Sequence, residues 1–213
     1  MSIHNKVALI TGGSRGIGRA VAVRLARDGV KLAINYKSDR KSADSVVDLV
    51  NEMGVEALAV QADVADSSQV DSMVDQIVNA FGNVDILVNN AGVFHIDGES
   101  VYGKNLWEIP PDEWKMVFQI KFWPAYLLSR AFIPGMIKNG GGKIVNITGT
   151  FDTGGPGASH YYLGTLALEH LSLNLAEELK PYNVQVNAVN PGWVSSDPVK
   201  QLSPKDAATA LTP

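Results

Sequence analysis

The sequence predicts an α/β domain of the doubly wound type, a three-layer arrangement in which one parallel sheet is covered by helices on both faces. Three observations carry this. Short apolar runs such as Val7-Ala8-Leu9-Ile10 alternate along the chain with stretches whose apolar residues recur every three or four positions. Strands flanked by helices at that spacing pair in parallel, and a parallel sheet needs cover on both sides. The first strand runs into Thr11-Gly12-Gly13-Ser14-Arg15-Gly16-Ile17-Gly18, a glycine-rich turn that opens a helix.

The elements follow in order. Residues 6–11 form the first strand, and Ile17, Val21 and Leu25 mark one face of a helix that stops near Gly29. Residues 31–36 are the second strand. Residues 42–53 are a helix with Ala43, Val46, Val47 and Val50 on one side, ended by Gly54. Residues 55–61 are the third strand. Asp66 with Gln69 predicts a capping box that opens a helix through Val70, Met73, Ile77 and Phe81 to Gly82. Residues 84–89 are the fourth strand, and 91–111 a long connection. Residues 112–139 read as one long helix, kinked at Pro124 and with Pro134 near its end. Residues 143–147 are the fifth strand. A Gly/Pro-rich loop, Gly154-Gly155-Pro156-Gly157, leads into a helix from 158 to 180. Residues 184–189 are the sixth strand, after which Asn190-Pro191-Gly192 turns the chain away. Residues 1–194 thus form one Rossmann-type domain with right-handed crossovers, and 195–213 a polar, proline-punctuated tail.

Composition narrows the function. The chain has 213 residues, a formal charge of -4, 46% hydrophobic and 19% charged residues, and no cysteine. Thiol chemistry is excluded, and no basic run invites nucleic acid or an anionic membrane. His4, His95, His160 and His170 lack metal-ligand spacing, so no metal site is expected. No run is long enough to span a bilayer, and no signal peptide precedes the first strand. A soluble cytoplasmic protein is the expectation.

The glycine turn is the strongest functional signal. A strand-to-helix turn aims backbone N–H groups and the positive end of a helix dipole at what lies above it. Gly12 permits the tight turn, Gly16 the close approach of a pyrophosphate, and Gly18 the close packing of helix on strand.

With these residues placed, the chain resembles the short-chain dehydrogenase/reductase family over nearly its whole length. Thr11 to Gly18 matches the family's TGxxxGxG turn, Asp63-Val64 its adenine-contacting acidic position, and Asn89-Asn90-Ala91-Gly92 its NNAG motif. Tyr161 stands at the catalytic tyrosine and Pro191-Gly192 at the PG turn. The resemblance implies a dinucleotide held by Gly12, Ser14, Arg15, Gly16, Ile17 and Gly18, by Tyr36, Lys37 and Ser38, by Asp63 and Val64, by Asn90, Ala91 and Gly92, and by Pro191 and Gly192. NAD-preferring members carry an acidic residue where this chain has Tyr36. Arg15, Lys37 and Ser38 around that spot suit a 2′-phosphate, with no carboxylate to repel it. NADP(H) is therefore the expected cofactor and a small molecule the expected substrate.

The catalytic pattern departs from the family. A lysine is expected four residues after the tyrosine, where Thr165 stands. The serine position falls on Gly149, and a one-residue slip brings Thr148 or Thr150 to it. The asparagine of the long helix is replaced by Lys121. Tyr162, taken as the catalytic residue, would place Leu166 at the lysine position. The family's lysine lowers the pKa of a phenol whose ordinary value is near ~10. Without it the tyrosine keeps its proton, which favours carbonyl reduction over alcohol oxidation. Either Lys121 reaches from its helix to replace the lost cation, or it snorkels to the surface past Phe122 and Trp123.

These features lead to an NADP(H)-dependent reductase of a small carbonyl compound, with Tyr161, Lys121 and Thr148 as the catalytic set. The alternatives are a cofactor-binding pseudoenzyme subunit or sensor, and a non-redox enzyme on the same scaffold. The long connection, with Tyr102 and Leu106, lies where substrate is expected. Leucines on several sides of the 158–180 helix predict a homodimer or homotetramer. No apolar strand follows Val189, so the family's seventh strand is expected to be missing.

Overall fold

The computed structural model describes residues 3–92, 95–96, 99–149, 157–192 and 194. Its sheet has six parallel strands: β1 (Val7–Ile10), β2 (Lys31–Tyr36), β3 (Ala57–Gln61), β4 (Ile86–Asn89), β7 (Gly142–Ile147) and β8 (Val184–Val189). They lie in the order β3-β2-β1-β4-β7-β8, the doubly wound order the alternation predicts. Two-residue strands β5 (His95–Ile96) and β6 (Glu99–Ser100) pair as a separate antiparallel ribbon in the long connection. The tail at 195–213 and the loop at 150–156 lie outside the described residues, as does any seventh strand within the tail.

The central strands are buried on both faces, and their side chains alternate between two cores. Val7 and Leu9 of β1 join Leu87 and Ile144 beneath α3 (Ser67–Phe81) and α5 (Trp123–Lys138), where Met73, Ile77, Leu128 and Phe132 pack. Ala8 and Ile10 point the other way, with Ile34 and Val88, against α1 (Gly16–Ala26) and α2 (Arg40–Glu52). Truncating a side chain such as Phe132 to Ala at such a site costs about 3–5 kcal/mol.

The predicted cap at Asp66 is present in altered form. Its carboxylate accepts from the amides of Ser68 and Gln69, and the Ser68 hydroxyl, Gln69 side chain and those amides hold its pKa at about 2. The Gln69 side-chain oxygen reaches past the cap to the Asp63 amide at 2.9 Å. One expectation is corrected. The single helix at 112–139 is two helices, α4 (Pro111–Lys121) and α5, broken at Phe122. Pro124 carries no N–H for a fourth-back carbonyl, so it starts a new helix rather than bending an old one. Pro134 lies inside α5.

A buried polar chain ties β4, β7 and α6 (Ser159–Leu179) together. Asn89 Nδ2 donates to Asn146 Oδ1, Asn146 Nδ2 to Ser172 Oγ, and Ser172 Oγ to the Leu168 carbonyl, each at 2.8 Å. Asn146 is fully buried, so its loss strands the Asn89 donor without solvent. Asn146→Ala is expected to cost about 2–4 kcal/mol in chemical denaturation; a loss below about 1 kcal/mol would show that the chain is not structural.

Asp66 generates a second expectation. Its folded pKa lies below the ordinary 3.8, so its stabilisation is complete above that value and fades as pH falls toward 2. The unfolding midpoint of Asp66→Asn should therefore be less sensitive to pH between 4 and 2 than that of the unsubstituted chain, and equal slopes would refute the cap's role.

Candidate active site

Each strand-end motif singled out in the sequence lies at the carboxyl edge of the sheet. Thr11 Oγ1 accepts from the amides of Asn90 and Ala91, both at 2.9 Å, and Asn90 Nδ2 donates back to the carbonyls of Thr11 and Gly12 at 2.9 and 3.2 Å. The glycine turn and the exit of β4 are thereby locked together. A Cβ on Gly18 would stand 2.4 Å from the Gly12 carbonyl oxygen and 2.7 Å from Asn90 Nδ2, so only glycine lets α1 approach this closely. Arg15 occupies the cap of α1 without a side-chain cap bond, leaving the first-turn amides of Gly16, Ile17 and Gly18 to the space above. Ser14 is buried beneath the turn. From β2, Asn35 supports the same turn: its Oδ1 accepts from the Gly12 amide at 3.2 Å, and its Nδ2 donates to the Ala62 carbonyl at 3.0 Å.

The corner at the ends of β2 and β3 differs from the sequence reading. Tyr36 is buried, while Lys37 and Ser38 are exposed. Lys37 Nζ pairs with Asp63 Oδ2 at 2.7 Å, and Asp63 Oδ1 accepts from the Ala65 amide at 3.0 Å. Asp39 caps α2; the Ser42 hydroxyl and amide hold its carboxyl below the usual range, with Arg15 and Lys41 nearby adding to the effect. The expectation of a corner free of carboxylates is thus corrected: Asp39 and Asp63 sit among Arg15, Lys37 and Lys41. Val64 is buried behind Asp63, and Pro191-Gly192 follows β8 at the far end of the edge.

The tyrosine site lies beyond Gly92. Lys121, at the end of α4, is only 6% exposed. Its stem runs over Gly164 of α6, where a Cβ would lie 3.6 Å from Lys121 Cβ. Its ammonium stands 5.1 Å from the centroid of the Tyr161 ring, and 3.6 Å from where a Gly92 Cβ would be. The structure thus brings Tyr161 and Lys121 together and does not send Lys121 to the surface. Gly149, with φ of +154°, faces the Tyr161 hydroxyl; a Cβ there would lie 3.0 Å from that oxygen. Thr148 Oγ1 is buried next to it, with no partner among the described residues. Thr165 turns away, donating to the Tyr161 carbonyl at 3.0 Å.

Two features escaped the sequence reading. Tyr102 packs on Tyr161, with ring centroids 5.2 Å apart at an interplanar angle of 55°. Beside it, Glu113 bridges Lys104 at 2.8 Å and His160 Nε2 at 3.2 Å. His160 is fully buried, with its Nδ1 unpartnered among the described residues. These contacts join residues nine and 47 positions apart, and no local periodicity signals them.

Against known proteins, a model of the short chain dehydrogenase family matches residues 6–207. A 3-oxoacyl-[acyl-carrier-protein] reductase from Staphylococcus epidermidis is 36% identical over 200 residues, covering 93% of this chain and 79% of that protein. A short chain dehydrogenase from Burkholderia cenocepacia, solved in complex with NADP, is 36% identical with a TM-score of 0.82, over 92% of this chain and 78% of that one. A 7α-hydroxysteroid dehydrogenase complexed with NADH and 7-oxo glycochenodeoxycholic acid is 28% identical with a TM-score of 0.87, over 97% and 78%.

His160 generates a stability prediction. Burial pushes its pKa below the ordinary 6.5; Glu113 opposes this and Lys104 adds to it. The unfolded chain therefore takes up a proton near pH 6.5 that the folded chain refuses, and stability falls as pH drops below that value. Between pH 7.5 and 5 the unfolding midpoint of His160→Gln is expected to fall less than that of the unsubstituted chain, and equal falls would contradict the assignment.

Proposed function

The chain belongs to the short-chain dehydrogenase family of oxidoreductases, and on that premise we propose that it uses NADP(H) to reduce a small carbonyl compound. The observation that carries the proposal is the pairing of a buried cation, Lys121, with the Tyr161 ring on the same sheet edge as the glycine turn.

The residues at that edge fit a dinucleotide. Gly18 clears the approach of α1, the uncapped first turn of α1 offers amides to a pyrophosphate, and Asn90, Ala91 and Gly92 line the way to Lys121. At the β2 corner, Arg15, Lys37 and Ser38 are the groups for a 2′-phosphate, with Tyr36, Asp63 and Val64 beside them, while Pro191-Gly192 serves the other end of the dinucleotide, after β8. Asp39 and Asp63 oppose an anion there, but Asp63 is already paired with Lys37. When bound, the nicotinamide supplies the hydride.

The chain's own residues supply the proton and the charge. Tyr161 gives its hydroxyl proton to the carbonyl oxygen as that oxygen gains charge. The Lys121 ammonium stabilises the phenolate left behind, the work assigned in the family to the lysine that Thr165 replaces. The Thr148 hydroxyl, which has no partner among the described residues, serves the substrate oxygen as donor. A positioned acid or base contributes ~10²–10⁴ in rate. Exposed Met116, Trp123, Tyr126, Leu163, Leu166 and Leu173 on α4, α5 and α6 support assembly into a homodimer or homotetramer. No described helix is long and apolar enough to cross a membrane.

A second reading, a cofactor-binding subunit without turnover, is favoured by Thr165 and Gly149 at the lysine and serine positions. Calorimetric titration with NADPH and NADH, followed by single-turnover oxidation of NADPH across a carbonyl panel, separates the two. The expected result is tighter binding of NADPH and measurable oxidation, with little alcohol oxidation at pH 7. Equal or tighter NADH binding would refute the cofactor preference, and tight NADPH binding with no oxidation would favour the second reading.

A further inference from the structure

We infer that Glu113 is a positioning residue for Tyr161: one oxygen of its carboxylate holds His160, the residue before Tyr161, the other holds Lys104, and together they set the Tyr161 ring beneath the Lys121 ammonium. The consequence for catalysis deepens the proposed reductase reading and rests on it.

The contact is buried and uses both carboxylate oxygens. Glu113 lies in the first turn of α4; its Oε1 stands 3.2 Å from His160 Nε2, and its Oε2 2.8 Å from Lys104 Nζ. A carboxylate that faces the Lys104 charge can only accept, so Nε2 carries the imidazole proton and donates it. Burial, which pushes the His160 pKa down, keeps the ring in that neutral form at pH 7. The His160 side chain is fully buried and that of Glu113 only 10% exposed, so water competes little for the bond. The Trp114 ring packs beside the imidazole, with centroids 5.9 Å apart.

Two attachments fix how α6 lies on α4. In the first turn of both helices, Glu113 meets His160. Further along, a Cβ on Gly164 would lie 3.6 Å from Lys121 Cβ, 3.8 Å from Phe118 Cδ2 and 4.0 Å from Val117 Cγ1. Tyr161 sits between these two points and joins the buried cluster of Val101, Val117 and Ala158. The N-cap of α6 is Ala158, which has no side-chain oxygen to offer the first-turn amides, so the turn that carries Tyr161 gains from a hold outside the helix. The Lys104 arm extends that hold to the connection after β4. There the Lys104 amide donates to the Gly157 carbonyl at 3.1 Å, and Tyr102 packs on Tyr161.

The placement matters because a cation acts on a phenol through its position. A displacement of about 1 Å at a catalytic group can cost ~10² in rate. A first turn of α6 released from Glu113 would move the Tyr161 ring from beneath the Lys121 ammonium, which stands 5.1 Å from the ring centroid. The glycine turn leads into α1 and takes no part in this hold, so NADPH binding is expected to be indifferent to it.

The test separates reach from charge in the full chain. Glu113→Asp keeps the charge and draws the carboxylate back from His160 by one methylene. Glu113→Gln keeps the reach and an oxygen for His160 Nε2 but gives up the charge. In the protein without cofactor, NMR of isotope-labelled lysine reads the ε-methylene of Lys121, assigned by its loss in Lys121→Met. That signal should lie upfield, under the Tyr161 ring current, in the unsubstituted chain and in Glu113→Gln. It should move back toward the position of a free lysine in Glu113→Asp, as it should in Tyr161→Leu. With NADPH saturating, Glu113→Asp should slow single-turnover carbonyl reduction about tenfold or more, and Glu113→Gln less than about threefold. The dissociation constant for NADPH should stay within about twofold in both. Each variant is first shown to be folded by its thermal transition, and His160→Asn, which shortens the other partner, replaces Glu113→Asp if that variant does not fold. A folded Glu113→Asp that keeps either the Lys121 signal or the rate of the unsubstituted chain overturns the inference, as does a Glu113→Gln that loses both as fully as Glu113→Asp. If the unsubstituted chain binds NADPH and reduces nothing, the functional reading fails, and the Lys121 signal alone decides whether Glu113 places Tyr161.

Discussion

The bracket between Thr11 and Asn90 fixes the distance on which the rest of the edge depends. One hydroxyl takes two amides from the β4 exit, and one amide side chain returns two bonds to the glycine turn. Neighbouring parallel strands are thus tied beyond the end of their ladder, where the chain would otherwise splay. Gly18 then lets α1 settle against the bracket. Gly92 leaves the β4 exit two residues after Asn90, so Lys121 and Tyr161 are held at a set place from the turn. In the proposed account, the phosphate cradle and the proton chemistry are two ends of this one edge.

The buried lysine is the second constraint. An ammonium removed from water costs several kcal/mol unless something answers its charge. No carboxylate pairs with Lys121 among the described residues; it has the face of Tyr161, worth about 2 kcal/mol when desolvated. A group so placed is suited to an anion that arrives or develops beside it. Thr165 cannot serve, because its hydroxyl is spent on the helix backbone. The proposed account moves the cation from α6 to α4 and aims it at the same phenol.

Much of this was legible in the sequence because it is written locally. Strand runs, the glycine turn and the Asp66 cap are patterns within about ten residues, and the six strands fall where the apolar runs are. The break at Phe122 was misplaced because Pro124 suits a first helical turn as well as a kink. The β2 corner was misread because Asp63 and Asp39 reach it from other elements: Asp63 is far from Lys37 in sequence yet 2.7 Å away. The packing of Tyr102 on Tyr161 and the pairing of Glu113 with His160 were hidden for the same reason. Lys121 was legible as a candidate, but its direction was not, since Gly164 on another helix makes the room for its stem.

The central claim is that a cation from α4 does the work of the one lost from α6. The most direct measurement is single-turnover carbonyl reduction with NADPH by Lys121→Met, Thr165→Lys and the double variant, each first shown to be folded by its thermal transition. The account predicts a loss of about tenfold or more in Lys121→Met, recovered when Thr165→Lys returns the cation to α6. An unchanged rate in folded Lys121→Met would contradict it.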